Sequence, residues 1–162
     1  SGALTVGTYD GANIEIREAV GEDNFFLFGL RENEIQEMRP TYNPRKIYEE
    51  SEYIKRILNA INSNLFCEKD SPSLFKPIFD ELLNRDYFFV LADLEAFNNA
   101  MKEAEKAYLK QDEWAKKAIY NVAKVGYFSS DRAVAEYADK IWHVKSVDSD
   151  DAFEPEQEAK SA

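Results

Sequence analysis

Few residues in this chain have the type and spacing that chemistry requires, and the first set lies in "TYDGAN" (8–13). Asp10 and Glu15 could pass for an acid/base pair. Such a pair needs environments that drive its two pKa values apart, and nothing in the flanking sequence supplies them. Asp10 followed by Gly11 is most simply turn chemistry, with Asp10 and Asn13 bonding nearby backbone and glycine accepting a positive φ. Asp10, Gly11 and Asn13 therefore carry two readings, a self-contained turn or support for a neighbouring site from behind. His143, the single histidine, sits at a predicted helix end, where the macrodipole favours it. Cys67 has no histidine or basic cluster near it in sequence and reads as a half-buried small hydrophobe. The hydroxyls of "SSDR" (129–132) read as helix caps, with a ligand role as the alternative. No His/Cys group has metal-ligand spacing, and neither a G-x-x-x-x-G-K-[ST] nor a G-x-G-x-x-G motif occurs.

Composition narrows the classes. The 162 residues carry a net charge of -11, which argues against a nucleic-acid partner because phosphate binding needs a basic face. No apolar run approaches the roughly 18 residues of a membrane span, and the first residues do not read as a charged-then-apolar signal sequence. A single cysteine excludes an internal disulfide framework and fits a reducing, cytoplasmic setting. With 44% hydrophobic residues, one packed domain is expected.

Five of the six glycines fall within the first 29 residues, so strands and tight turns are expected in front and helices behind. The fold class read from this order is α/β. "LTVG" (4–7), "NIEI" (13–16) and "FFLFG" (25–29) read as short strands, the last continuously apolar as in a buried parallel sheet. Asn43 with Pro44 predicts a helix start. Ser51 caps a second helix, whose stripe is Tyr53, Ile54, Ile57, Leu58 and Ile61. A third, with Phe75, Ile78, Phe79, Leu82 and Leu83 on one face, is expected from near Ser73 because Pro77 belongs in a first turn. "YFFVLAD" (87–93) reads as a fourth buried strand, after which Asp93 caps a long helix over Leu94–Leu109. Asp112 caps another that ends at Gly126, and Ser129 or Ser130 caps the last, over 129–142. Residues 145–162, with six acids against two lysines, read as an acidic, disordered tail.

Three separated motifs then carry a resemblance. "GALTVGTYDGANIEIREAVGEDNFFLFG", "YFFVLADLEAF" and "GYFSSDRAVAEYADKIW" stand in the order and register of glycogen (α-glucan, maltodextrin) phosphorylases, over about residues 2–143. "FCEKDSPSLFKPIF" departs from the family pattern, which leaves the loop before Leu74 less defined. The resemblance implies that residues 1–144 are the closing part of the second Rossmann-like domain of a GT-B enzyme. In that family the glycine-rich strand directly follows a helix with E-A-S-G-T-G-N-M-K, whose lysine carries pyridoxal phosphate.

Ser1 stands where the family has Asn, so this chain is expected to start just past that lysine. The implied parent reaction is attack of inorganic phosphate on the non-reducing end of an α-1,4-glucan, releasing glucose 1-phosphate. The family's ligand-binding residues lie upstream, so no catalytic, cofactor or metal residue is assigned here, and Asp10, Gly11 and Asn13 remain possible supports. The isolated chain is expected to bind no pyridoxal phosphate, to be inactive, and to self-associate through faces that the rest of the phosphorylase chain would cover. Two other classes stay open, a stand-alone α/β interaction module and a fragment of another GT-B glycosyltransferase.

Overall fold

Thr5–Gly7 (β1) and Phe25–Leu27 (β2) pair in parallel, Thr5 opposite Phe25 and Gly7 opposite Leu27, in a computed structural model that describes residues 2–63, 65–67 and 73–145. Parallel neighbours cannot be joined by a tight hairpin; they need a crossover, usually helical. Ala12–Val20 (α1) and a 3-10 turn at Glu22–Asn24 provide it. Residues 13–16 are therefore helix, not the strand their alternation predicts. Four alternating residues are too few to separate the two periods, and α1 is held by packing against a helix about a hundred residues later. Gly11, at φ +47, makes the turn into it.

The remaining elements are helical. Glu32–Met38 (α2) follows β2. Pro44–Glu50 (α3) starts behind Asn43, whose side chain accepts from the Lys46 N–H; Glu52–Asn62 (α4) starts behind Ser51, which accepts from the Ile54 N–H. Both caps match the sequence reading. Lys76–Asn84 (α5) begins about one turn after Ser73 and keeps Pro77 in its first turn, where a missing N–H costs nothing. Ile54 and Leu58 of α4 are fully buried against Leu91, with Ile47, Tyr48, Tyr53, Ile61, Phe79, Leu82 and Leu94 packed around them. The main core thus lies among helices, away from the strands.

The largest departure from sequence expectation is at 87–92. No strand forms there; Val90–Tyr108 (α6) is one helix, and Tyr87 and Phe88 are 65% and 80% exposed. Asp86, only 2% exposed, decides this. Its Oδ1 accepts the Val90 N–H at 2.8 Å, its Oδ2 accepts the Leu91 N–H at 2.8 Å, and the Tyr42 hydroxyl donates to the same Oδ2. A carboxylate on the first amides of a helix satisfies donors that have no intrahelical partner and meets the positive end of the dipole. Asp86 and Phe89 take left-handed φ values of 36° and 58° to make this turn. Asp86 therefore caps the long helix, and Asp93 lies inside its first turn.

Gln111–Lys124 (α7) includes Asp112 in its first turn rather than before it. The chain divides into two units after Lys124. The second unit opens with a 3-10 turn, Val125–Phe128, that contains Gly126; this glycine is not left-handed, so it is not the helix stop its position suggests. Ser130–Tyr137 (α8) has Ser129 at its cap position with no side-chain cap bond, and continues as a π-helical turn, Ala138–Trp142. His143 ends it in the left-handed region, its Nδ1 2.7 Å from the Asp139 carbonyl, in keeping with a helix-end role. The acidic tail from 146 onward lies outside the described residues.

Asp86→Ala strands two helix amides and a phenol, so an equilibrium denaturant titration should show a loss of about 3 kcal/mol or more. Tyr42 gives a pH signature. Its phenol is raised above the ordinary 10.0, first by burial and then by its hydrogen bond to Asp86. The folded state thus holds this proton after the unfolded state has released it, and stability falls as pH climbs above 10. Tyr42→Phe should flatten that part of the alkaline limb relative to wild type; equal slopes in both proteins would contradict the assignment.

Candidate functional site

In open α/β arrangements ligands gather at the carboxyl ends of parallel strands, where the strand-end loops diverge. Here that edge is built from Thr8–Gly11 after β1 and Phe28–Arg31 after β2. The first loop is self-bonded. Thr8 Oγ1 donates to Asp10 Oδ2 at 3.1 Å, the Asn13 amide Nδ2 donates to the Thr8 carbonyl at 3.0 Å, and the Asn13 N–H bonds the Asp10 carbonyl at 3.0 Å. Asp10 and Gly11 are exposed and Asn13 is half-buried. The contacts made by all three positions are those of the turn. They do, however, bring Asp10 and Gly11 to the rim of a hollow that Tyr9, Leu30, Ile35 and Arg39 help to line.

Three residues of this edge were not legible from sequence. The Tyr9 ring has two guanidinium neighbours, Arg31 at 4.0 Å from its centroid and Arg17 at 5.8 Å. Arg17 also pairs with Glu22 at 2.8 Å. Each arginine keeps one buried nitrogen, Nε of Arg17 and Nη1 of Arg31, with no hydrogen-bond acceptor; the electron-rich ring face helps offset this for Arg31, and for Arg17 the ring acts together with Glu22. Arginines at positions 17 and 31 carry no sequence signal for this, because chain folding alone brings them to one ring.

Beside the hollow lies an apolar groove lined by Phe28, Phe88, Val90, Leu94 and Phe97, with Thr8 and Asp93 as its polar members. Phe28 and Phe97 meet edge to face at 5.2 Å. Asp93 Oδ1 accepts the Leu30 N–H at 2.9 Å, which ties α6 to the loop after β2. The carboxyl of Asp93 is raised above its ordinary 3.8, first by burial and then by the charges of Asp86 and Glu34, against the Leu30 N–H, which lowers it. The linings of hollow and groove hold no serine, cysteine, histidine or lysine; the one hydroxyl–carboxylate contact described among them, Thr8 Oγ1 on Asp10 Oδ2, belongs to the self-bonded turn. Among the described residues no group of three side chains could hold a metal. What this edge offers is shape, apolar surface and stacking cations.

The other candidates fall elsewhere. Arg132 of "SSDR" bonds the Tyr127 carbonyl and Glu136 and stacks on Tyr127 at 3.8 Å, all within its own unit. Cys67 is a free, half-buried thiol, as its sequence context predicts.

Comparison with known proteins supplies what the site does not. A family model described as carbohydrate phosphorylase matches residues 1–144. A glycogen phosphorylase of Chlamydia trachomatis is 50% identical over 145 residues, 89% of this chain and 18% of that protein. One from Synechocystis is 46% identical over 148 residues, 91% and 17% of the two chains. The human brain form of glycogen phosphorylase is 42% identical over 149 residues, 91% and 18%. The chain thus spans under a fifth of the length of these relatives.

The raised Asp93 carboxyl makes a signed prediction. The folded state binds this proton more tightly than the unfolded state, so the stability it contributes is present below pH 3.8 and is lost as pH rises through the folded value. Asp93→Asn keeps an oxygen for the Leu30 N–H and removes that loss. Urea titrations across this range should show the variant gaining on wild type as pH rises. A constant difference between the two would contradict the burial argument.

Proposed function

The chain belongs to the carbohydrate phosphorylase family, and on that premise we propose that it is the C-terminal portion of a longer cytoplasmic glycogen or α-1,4-glucan phosphorylase. The observation that carries this reading is the identity of up to 50% over about nine-tenths of the chain, in proteins named glycogen phosphorylase. In the longer protein the two parallel strands extend a larger sheet of the second Rossmann-like domain of a GT-B fold. The strand-end loops of the first unit face the cleft in which inorganic phosphate attacks the glucan end and glucose 1-phosphate leaves.

Pyridoxal phosphate, when bound in the longer protein, supplies a phosphate group for proton transfer. Among the described residues, Lys46, Lys55 and Lys106 do not fit that cofactor. A lysine that attaches it needs an unprotonated amine in a desolvated pocket. Lys46 and Lys106 pair instead with Glu50 and Glu103, and the Lys55 ammonium is held above its ordinary value by its hydrogen bond to Glu52. The part of this chain is positional: Asp10, Gly11 and Asn13 hold the loop after β1, and Tyr9 with its arginines holds the rim.

Two measurements test the reading. Incubation of the isolated chain with pyridoxal phosphate, then borohydride reduction and peptide mapping, should give no stoichiometric pyridoxyl-lysine, and an assay with glycogen and phosphate should give no glucose 1-phosphate. A single labelled lysine accompanied by turnover would mean that the chain holds its own active site. The groove of Phe28, Phe88 and Phe97 also leaves apolar surface uncovered. Sedimentation should therefore show the isolated chain self-associating as concentration rises; a clean monomer throughout counts against that expectation.

A further inference from the structure

The geometry points to Asp93 as a positioning residue that fixes the loop after β2, and through it the strand-end crevice, by way of the Leu30 N–H and the side-chain-free face of Gly29. For the reaction it affects, the inference rests on the phosphorylase reading above; the contact itself does not.

A carboxylate in the first turn of a helix ordinarily serves that helix's own amides. In α6 the Val90 and Leu91 amides are already taken by Asp86. Asp93 is thereby released for a partner 63 residues away in sequence, the Leu30 N–H at 2.9 Å. Its second oxygen sets the other side of the same loop. Gly29 is at φ +83, and a Cβ there would lie 2.7 Å from Asp93 Oδ2 and 3.0 Å from Thr8 Cγ2. Only glycine permits the approach, so the carboxylate holds the loop by one oxygen and abuts it with the other, while Thr8 brings the loop after β1 to the same point.

Two residues after Gly29, the chain delivers Arg31 onto Tyr9 at the rim of the hollow. The arrangement is costly to maintain, because Asp93 is half-buried, has no cationic partner among the described ion pairs, and feels Asp86 and Glu34.

The test uses the full-length protein that contains this chain, with Asp93→Ala, Asp93→Asn, Gly29→Ala and the double variant Gly29→Ala/Asp93→Ala. Phosphorolysis is measured at a temperature where thermal melts show every variant folded, alongside amide hydrogen exchange over residues 28–31. A loosened strand-end loop misplaces reacting groups, and misplacement by about 1 Å can cost about 100-fold; Asp93→Ala should lower kcat/KM by about 10- to 100-fold and speed exchange at Leu30 and Arg31. Asp93→Asn retains the acceptor and should stay within about twofold of wild type in both readouts. Gly29→Ala damages the same contact from the other side, so the double variant should lose much less than the product of the single losses.

Wild-type kcat/KM in Asp93→Ala, an equal loss in Asp93→Asn, a loss without faster exchange, or multiplicative losses in the double variant would each overturn the inference. A wild-type protein that releases no glucose 1-phosphate would overturn the phosphorylase reading, and the catalytic part of this inference with it; unchanged exchange in Asp93→Ala would separately overturn the positioning.

Discussion

A negative charge buried to 2% exposure is tolerable only when strong donors surround it. Asp86 meets that condition with two helix amides and the Tyr42 hydroxyl, in a turn that bends two non-glycine residues into the left-handed region. The Tyr42 ring lies 4.3 Å from Phe89 and the Arg39 guanidinium 4.9 Å from the same ring, so the turn is enclosed by groups that cannot leave without exposing the charge's partners. The capped helix, α6, packs both on the helical core and on the two strands. Its starting point therefore sets the register of everything it touches.

That register is read out along the helix surface. Leu91 and Leu94, three residues apart, share the side packed into the core with Ile54 and Leu58. Asp93 and Phe97, four apart, share the side turned to the strand-end loops, where they meet Leu30 and Phe28. A shift of the helix start by one residue would rotate all four by about 100°. The crevice at the carboxyl edge is thus a consequence of a cap about two helical turns away from the aromatic pair it places. The helical core, the strand pair and the crevice form one dependency, with the buried carboxylate at its root.

Much of this was legible in the sequence where local chemistry decides. Asn43 and Ser51 cap the helices their side chains suggest, the Tyr53–Ile61 stripe enters the core, and β1 and β2 lie at the predicted positions. The two strand errors share one cause. "NIEI" and "YFFVLAD" are short β-branched or aromatic runs with intrinsic strand preference, and both are helical in whole or in part because partners distant in sequence outweigh that preference. For α1 the outside constraint is parallel pairing, which requires a crossover. For α6 it is a carboxylate four residues upstream that looks, in sequence, like any polar turn residue.

By itself, then, the sequence determined the two helices capped by Asn43 and Ser51, the positions of the two strands, the family and the absence of a basic or metal-ligand motif, because these depend on residue types at short range or on order along the chain. Only the tertiary structure decided which aspartate caps α6, that Asp93 reaches the Leu30 N–H, and that Arg17 and Arg31 share one ring. Each of those contacts joins groups separated in sequence, or hinges on which of two nearby carboxylates is buried. Desolvation and donor geometry settle such questions, and neither is defined until the chain has closed around them.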